Sequence, residues 1–136
     1  MTKVVVDTPI WSALLRRRPD SFSGPLVAEL ENLTARGLVV LLGPIRQEIL
    51  SGIRQPAQFE KTREELRHFG DFPIEAYDYE AAADAYNVCR AHGIQGSHTD
   101  FLLCAIARRY RFSIFTTDKD FERYAKHLAI KLHRQL

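Results

Sequence analysis

Short apolar runs alternate along the chain with longer segments in which apolar residues recur every three or four positions. The short runs predict strands at residues 4–6, 38–42, 113–116 and 129–132, with a further extended piece at 72–74. The longer segments predict helices at residues 9–16, 22–36, 45–53, 56–69, 79–92, 101–110 and 120–127. Strands and helices therefore share the chain, with helices in the majority.

Individual residues mark where several of these helices begin and end. Gly37 and Gly93 follow the last periodic positions of two helices, where glycine commonly ends a helix. Asp78 stands just before the helix at 79–92 and is predicted to be its N-cap. The helix at 101–110 is apolar nearly all round, which predicts a central, buried position.

The order of elements predicts an α/β fold with a mainly parallel central sheet. Long helical crossovers between short strands are typical of parallel pairing, with helices on both faces of the sheet. In such sheets the ligand site lies outside the carboxyl ends of the strands. Candidate chemistry is therefore expected where the strands at 4–6 and 113–116 end.

Length and composition place the chain among ordinary globular proteins. Its 136 residues predict one domain over 1–136, and the 46% of apolar residues supply a core.

Two cysteines, Cys89 and Cys104, lie inside apolar helical patterns, which favours core packing in a reducing cytoplasm over a disulfide framework. We expect no membrane association, because no apolar stretch approaches the length of a membrane span. The net charge of +2 gives by itself little support for a nucleic-acid partner.

Four acidic residues are predicted to meet at one edge of the sheet. Asp7 and Asp118 follow strands, whereas Glu48 and Asp100 lie on helices with apolar faces. Each has a simpler alternative role, because Asp7, Asp100 and Asp118 stand where acids cap helices and Glu48 lies on the flank of its helix. Together, however, four carboxylates would repel each other, and a cation is needed to offset them. Oxygen ligands favour Mg²⁺ or Mn²⁺, and metal-assisted hydrolysis of a phosphodiester is the chemistry that such a site suits.

The segments that carry these acids resemble the PIN domain, and within it the VapC toxins of bacterial VapBC toxin–antitoxin pairs. The resemblance rests on four segments in the same order, namely Val-Val-Val-Asp-Thr at 4–8, Arg-Gln-Glu-Ile-Leu-Ser-Gly at 46–52, Gly-Ser-His-Thr-Asp-Phe-Leu-Leu-Cys-Ala at 96–105 and Phe-Thr-Thr-Asp-Lys-Asp-Phe at 115–121. It implies a PIN-like α/β/α sandwich and an Mg²⁺- or Mn²⁺-dependent endoribonuclease. It also implies a homodimer that a cognate VapB-like antitoxin neutralises.

The resemblance assigns roles to particular acids. Asp7, Glu48, Asp100 and Asp118 form the implied catalytic set, and Asp7, Asp100 and Asp118 are the implied metal ligands. Glu48 either binds the metal as well or orients the attacking water. Asp120 either serves a second metal ion or caps the last helix. Thr117 and Ser97 are expected to hydrogen-bond to the carboxylates as supporting groups.

Other functions stay open at this stage. The main alternative is a catalytically inactive PIN-like module that binds RNA or regulates, with its acids serving only as caps. An aspartyl-phosphate phosphatase is disfavoured because it needs a second aspartate two residues after the first, where this chain has Pro9. A phosphate-receiver domain is disfavoured because it needs an acidic pair after the first strand, where only Asp7 stands.

Overall fold

Strands and helices alternate along the chain much as the sequence predicts. The computed structural model describes residues 2–16 and 24–134. In chain order, the described elements are β1 (Val4–Val6), α1 (Thr8–Leu15), α2 (Gly24–Ala35), β2 (Val39–Val40), α3 (Gly43–Leu50), α4 (Pro56–Leu66), α5 (Ala76–Ala91), α6 (His98–Tyr110), β3 (Ser113–Phe115), α7 (Asp120–Tyr124) and β4 (Lys131–Leu132). The predicted start of the second helix at Phe22 lies outside the described residues.

The described strands form one parallel sheet in the order β2-β1-β3-β4. Val4 pairs with Val39 on one side and with Ser113 on the other, and Ser113 pairs with Lys131. All three residues of β1 and all three of β3 are buried. Because successive side chains of a strand point to opposite faces, both faces of these two central strands are covered. The predicted parallel α/β architecture is confirmed.

The core is centred on helix α6. Residues 101–107 of this helix are all buried, which confirms the central position predicted from its apolar sequence. Cys89 of α5 and Cys104 of α6 are buried free thiols within the same core. Within the described residues, no helix is both long enough and apolar enough to span a bilayer.

Several element ends differ by a few residues from their predicted positions, and three local differences have a clear physical reason or change an assigned role. Glu75, not Asp78, is the N-cap of α5, and Asp78 is the third helical residue, where its Oδ2 accepts a hydrogen bond of 2.8 Å from the Glu75 main-chain N. Residues 72–74 run as irregular chain after an isolated bridge between Leu41 and Asp71. Helix α3 ends at Leu50 rather than at residue 53, because Gly52 adopts a positive φ of 88° that turns the chain out of the helix.

Candidate active site

The first carboxylate of the site belongs to Asp7, directly after β1. Its Oδ1 accepts a hydrogen bond of 2.9 Å from the Thr8 main-chain N, and Asp7 is thereby the N-cap of α1. Its Oδ2 accepts a hydrogen bond of 2.8 Å from the Thr116 hydroxyl. Asp7 is only 6% exposed, and this burial raises its pKa to about 6. The hydrogen bonds from Thr116 and Thr8 oppose that rise, and the charges of Asp100 and Asp118 add to it.

The second carboxylate, Asp118, follows strand β3. The Thr116 hydroxyl that donates to Asp7 also accepts a hydrogen bond of 3.0 Å from the Asp118 main-chain N. Asp118 Oδ1 in turn accepts a hydrogen bond of 2.9 Å from the main-chain N of Asp120, the first residue of α7. The ends of β1 and β3 are thus joined by side chains as well as by the sheet, and Asp118 is held by the helix that follows it.

The third carboxylate, Asp100, lies in the first turn of α6. Ser97 is the N-cap of this helix, and its hydroxyl accepts a hydrogen bond of 3.0 Å from the Asp100 main-chain N. Asp100 Oδ2 accepts a hydrogen bond of 2.8 Å from the hydroxyl of Tyr124. Burial raises the pKa of Asp100, the hydrogen bonds from Tyr124 and Ser97 oppose the rise, and the charge of Asp118 adds to it. Burial beside Asp100 also raises the pKa of Tyr124, which keeps its proton as a donor.

The fourth carboxylate, Glu48, is exposed on helix α3. Its Oε1 accepts a hydrogen bond of 2.9 Å from the Thr8 hydroxyl. Because the main-chain N of Thr8 also donates to Asp7, this one residue contacts two of the four carboxylates. Helix α1 therefore begins between Asp7 and Glu48.

All four carboxylates line a single open cleft with a volume of about 550 Å³. Its lining residues are Asp7, Thr8, Pro9, Ser12, Ala13, Arg16, Leu26, Glu48, Asp100, Thr117 and Asp118. Ser97 and Asp120 support the site from behind this lining, through the hydrogen bonds that they make with Asp100 and Asp118. The Asp120 carboxylate itself lies 4.0 Å from the Arg123 guanidinium. Arg16 is the one basic side chain among the described lining residues.

The donor chemistry of the cleft fits a hard divalent cation. Its acidic groups are carboxylates, and mutual repulsion contributes to the raised pKa values of Asp7 and Asp100. Within the described residues, however, no three His, Cys, Asp or Glu side chains are close enough together to enclose a metal ion. Mg²⁺ is commonly held by one or two carboxylates with water and substrate oxygens completing its coordination, so an open acidic cleft is compatible with this ion.

Two groups of the site have no clear signal in the sequence. Thr116 bonds to Asp7 and Asp118, whereas Thr117, the neighbour expected in a supporting role, lines the cleft wall. The Tyr124 hydroxyl reaches Asp100 from another helix. Adjacent threonines after a strand point to opposite sides, and only the sheet register decides which of them faces a given neighbour. His98, two residues before Asp100, has an exposed side chain. Its ring stacks on the ring of Tyr86, with the two centroids 5.3 Å apart.

Comparison with protein families gives a match over most of the chain. Residues 4–127 match the model of the PIN domain. No curated protein sequence matches the chain significantly.

Several solved structures share the fold of this chain. FitAcB from Neisseria gonorrhoeae is similar with a TM-score of 0.75 and 18% identity, over 96% of each chain. VapBC2 from Rickettsia felis, bound to a DNA fragment from its promoter, has a TM-score of 0.76 and 14% identity, also over 96% of each chain. A toxin–antitoxin complex from Klebsiella pneumoniae has a TM-score of 0.61 and 20% identity, over 88% of this chain and 90% of the other. These similarities establish the fold.

Proposed function

The chain belongs to the PIN-domain family, and on that premise we propose that it is the toxin of a type II toxin–antitoxin pair. PIN domains are generally nucleases. The activity that we propose is hydrolysis of RNA phosphodiester bonds, dependent on Mg²⁺ or Mn²⁺ and carried out in the cytoplasm. The alternative is a PIN-like module that binds RNA or regulates without cleaving.

The observation that carries this proposal is the convergence of four carboxylates on one cleft. Asp7 is nearly fully buried beside the charges of Asp100 and Asp118, and its pKa is raised as a result. A cap needs none of this crowding, because exposed single acids cap helices equally well. Clustered acids with perturbed pKa values are typical of functional sites, where a cation or a substrate proton offsets the unfavourable charge.

Each acid has a proposed role in the reaction. Asp7, Asp100 and Asp118 would hold the metal ion, some of them through water ligands because the three are not gathered closely enough to enclose it. The ion would supply a charge that neutralises the phosphoryl oxygens and would lower the pKa of water. Glu48, hydrogen-bonded to Thr8, would accept a hydrogen bond from the attacking water and so orient it toward phosphorus. The water oxygen would form the new bond to phosphorus as one phosphorus–oxygen ester bond breaks. The water would lose its proton to Glu48 or to solvent, and the departing oxygen would leave with the bonding electron pair and take a proton from solvent.

The proposed partners follow from the family and from the structural similarities. One of the similar structures is a toxin–antitoxin complex, and another, VapBC2, is bound to a DNA fragment from its promoter. We therefore propose a VapB-like antitoxin as the partner of this chain, and a homodimer as its assembly. The charge of the chain is compatible with an RNA substrate, because the residues outside the four proposed site acids are net basic.

The experiment that tests the proposed activity is RNA cleavage by the purified protein. The protein is incubated with total RNA in Mn²⁺, in Mg²⁺ and in EDTA, and new RNA 5′ ends are sequenced. We expect cleavage with either metal ion and none in EDTA. Asp7→Asn should abolish both this cleavage and growth arrest on induction in cells.

A matched control is Asp84→Asn, which makes the same change at an exposed residue outside the cleft. This variant should cleave RNA like the unmodified protein. If Asp7→Asn still cleaved RNA and arrested growth, the proposed role of the cleft would be wrong. RNA binding without cleavage, together with no binding of millimolar Mn²⁺ in calorimetry, would instead support the non-catalytic module.

A further inference from the structure

A buried tyrosine hydroxyl lies behind the acidic cleft. Tyr124 is on helix α7, is 0% exposed, and donates the hydrogen bond of 2.8 Å to Asp100 Oδ2. Its ring packs against Phe101 and Phe121, with centroids 4.9 and 5.1 Å away. Because aromatic neighbours hold the ring, the hydroxyl has little freedom to leave the carboxylate.

The loop before α6 closes directly over this tyrosine. A Cβ atom added at Gly96 would lie 2.2 Å from the Tyr124 hydroxyl oxygen and 2.9 Å from Cε2 of Phe101. Gly96 is therefore a position where the close approach of a side chain excludes any larger residue. The next residue, Ser97, caps the helix that carries Asp100. The main chain at Gly96 and the carboxylate of Asp100 therefore both pack against the phenol of Tyr124.

The chemistry of the donor suits a site that must remain acidic. A tyrosine hydroxyl fixes one carboxylate oxygen without adding a positive charge, whereas lysine or arginine would neutralise the charge that attracts a cation. Asp100 still lines the cleft while its Oδ2 is held from behind. Groups that hydrogen-bond to metal ligands in this way set the orientation of those ligands.

We propose that Tyr124 is a positioning residue that orients Asp100 for divalent-cation binding, and that Gly96 provides the space that this role requires. The proposal rests on the metal-dependent function proposed above and gives roles to two residues to which the family resemblance assigned none. Tyr124 acts through Asp100 and contacts neither RNA nor metal.

The test compares two variants that each lose one tyrosine hydroxyl. Tyr124→Phe removes the bond to Asp100, and the control Tyr110→Phe removes a 3.4 Å contact with Glu75 outside the cleft. Mn²⁺ binding to the metal-free proteins is measured by calorimetry, well below the unfolding temperature of each variant. We expect Mn²⁺ affinity to fall about tenfold in Tyr124→Phe and to stay unchanged in Tyr110→Phe.

A second variant, Gly96→Ala, displaces the phenol without deleting it and should also weaken Mn²⁺ binding. Unchanged affinity in Tyr124→Phe would overturn the positioning role while leaving the metal-dependent function intact. Loss of the folded state in both Tyr124→Phe and Gly96→Ala, seen by circular dichroism, would assign Tyr124 a packing role and also overturn the proposal. Absence of Mn²⁺ binding by the unmodified protein would overturn this proposal and the proposed function together.

Discussion

The hydroxyl of Thr116 donates a 2.8 Å hydrogen bond to Oδ2 of Asp7, although 109 positions separate the two residues. The same hydroxyl accepts from the Asp118 main-chain N. Two proposed metal ligands are therefore connected through one uncharged group at the ends of neighbouring strands. Parallel pairing of β1 with β3 makes this contact possible, because it brings Val6 opposite Phe115 one residue before each loop begins.

Replacing Thr116 by Val should weaken the site more than it weakens the fold. The change keeps the branched shape but leaves the buried Asp7 without one donor, which we expect to cost about 1–3 kcal/mol in the free energy of unfolding. The pKa of Asp7 should rise further, because the Thr116 hydrogen bond lowers it. Protons compete with Mn²⁺ for this carboxylate. As the pH is lowered, Mn²⁺ binding should therefore be lost at a higher pH than in the unmodified protein.

The matched control is Thr117→Val at the adjacent position, which lines the cleft. It should leave both the unfolding free energy and the pH profile of Mn²⁺ binding nearly unchanged. A larger effect from Thr117→Val than from Thr116→Val would contradict the supporting role of Thr116.

The raised pKa of Asp7 predicts that its ionised form destabilises the metal-free protein. Burial raises this pKa from an ordinary 3.8 to about 6, so the folded state holds the proton more tightly than the unfolded state does. The resulting stability is complete below pH 3.8 and is lost as pH rises through 6. Asp7→Asn should therefore be more stable than the unmodified protein at pH 7.5 by about 1–3 kcal/mol, with a smaller difference at pH 5.

Urea unfolding in EDTA at the two pH values measures this difference. Asp84→Asn serves as the control, and its effect should be small at both pH values because Asp84 is exposed. The prediction fails if Asp7→Asn is no more stable than the unmodified protein at pH 7.5. A gain in stability combined with a loss of cleavage would mean that the Asp7 carboxylate serves cleavage at a cost to the stability of the fold.

The elements of the fold were largely predictable from the sequence, because most of their signals are local. The β-branched run of β1, the apolar sequence of α6 and the glycines after helices each report on their own neighbourhood. The position of the acids at one sheet edge followed from the parallel topology. The prediction was wrong at Asp78, whose spacing suits an N-cap as well as a third helical residue.

The partners of the acids were much less predictable, because they come from distant segments. Neither Tyr124 nor Thr116 differs in local sequence from an ordinary core or loop residue. What gives each of them its contact is the docking of α7 beside α6 and the pairing of β1 with β3. Such contacts depend on the register and angle between elements, which apolar periodicity does not specify.

Asp78 should be important for stability although it lies outside the acidic cleft. It is 0% exposed, bonds to the Glu75 main-chain N, and forms an ion pair of 3.0 Å with Arg109 of α6. Asp78→Ala should lower the free energy of unfolding by about 2–4 kcal/mol, because both the helix start and the α5–α6 contact lose a charged acceptor. Thermal or urea unfolding measures this loss.

The control for this variant is Asp84→Ala, which makes the same truncation at an exposed position of the same helix. It should change stability by less than about 0.5 kcal/mol. Mn²⁺ affinity below the unfolding temperature should be unchanged in both variants, since neither residue lines the acidic cleft. An equal change of stability in both variants would show that the buried ion pair of Asp78 contributes no more than an exposed acid of the same helix.

Arg16 should bind the RNA backbone beside the scissile phosphate. It is exposed at the C-cap of α1 and lines the same cleft as the four carboxylates. Its guanidinium can therefore pair with a phosphate of RNA bound in the cleft. Arg16→Ala should raise the KM for RNA about fivefold with little change in kcat, and the salt dependence of binding should decrease by about one ion. Arg54→Ala, at an exposed position outside the cleft, should change neither quantity. A fall in kcat at unchanged KM would instead mean that Arg16 acts on the transition state, because only an interaction absent from the ground state lowers kcat alone when it is removed.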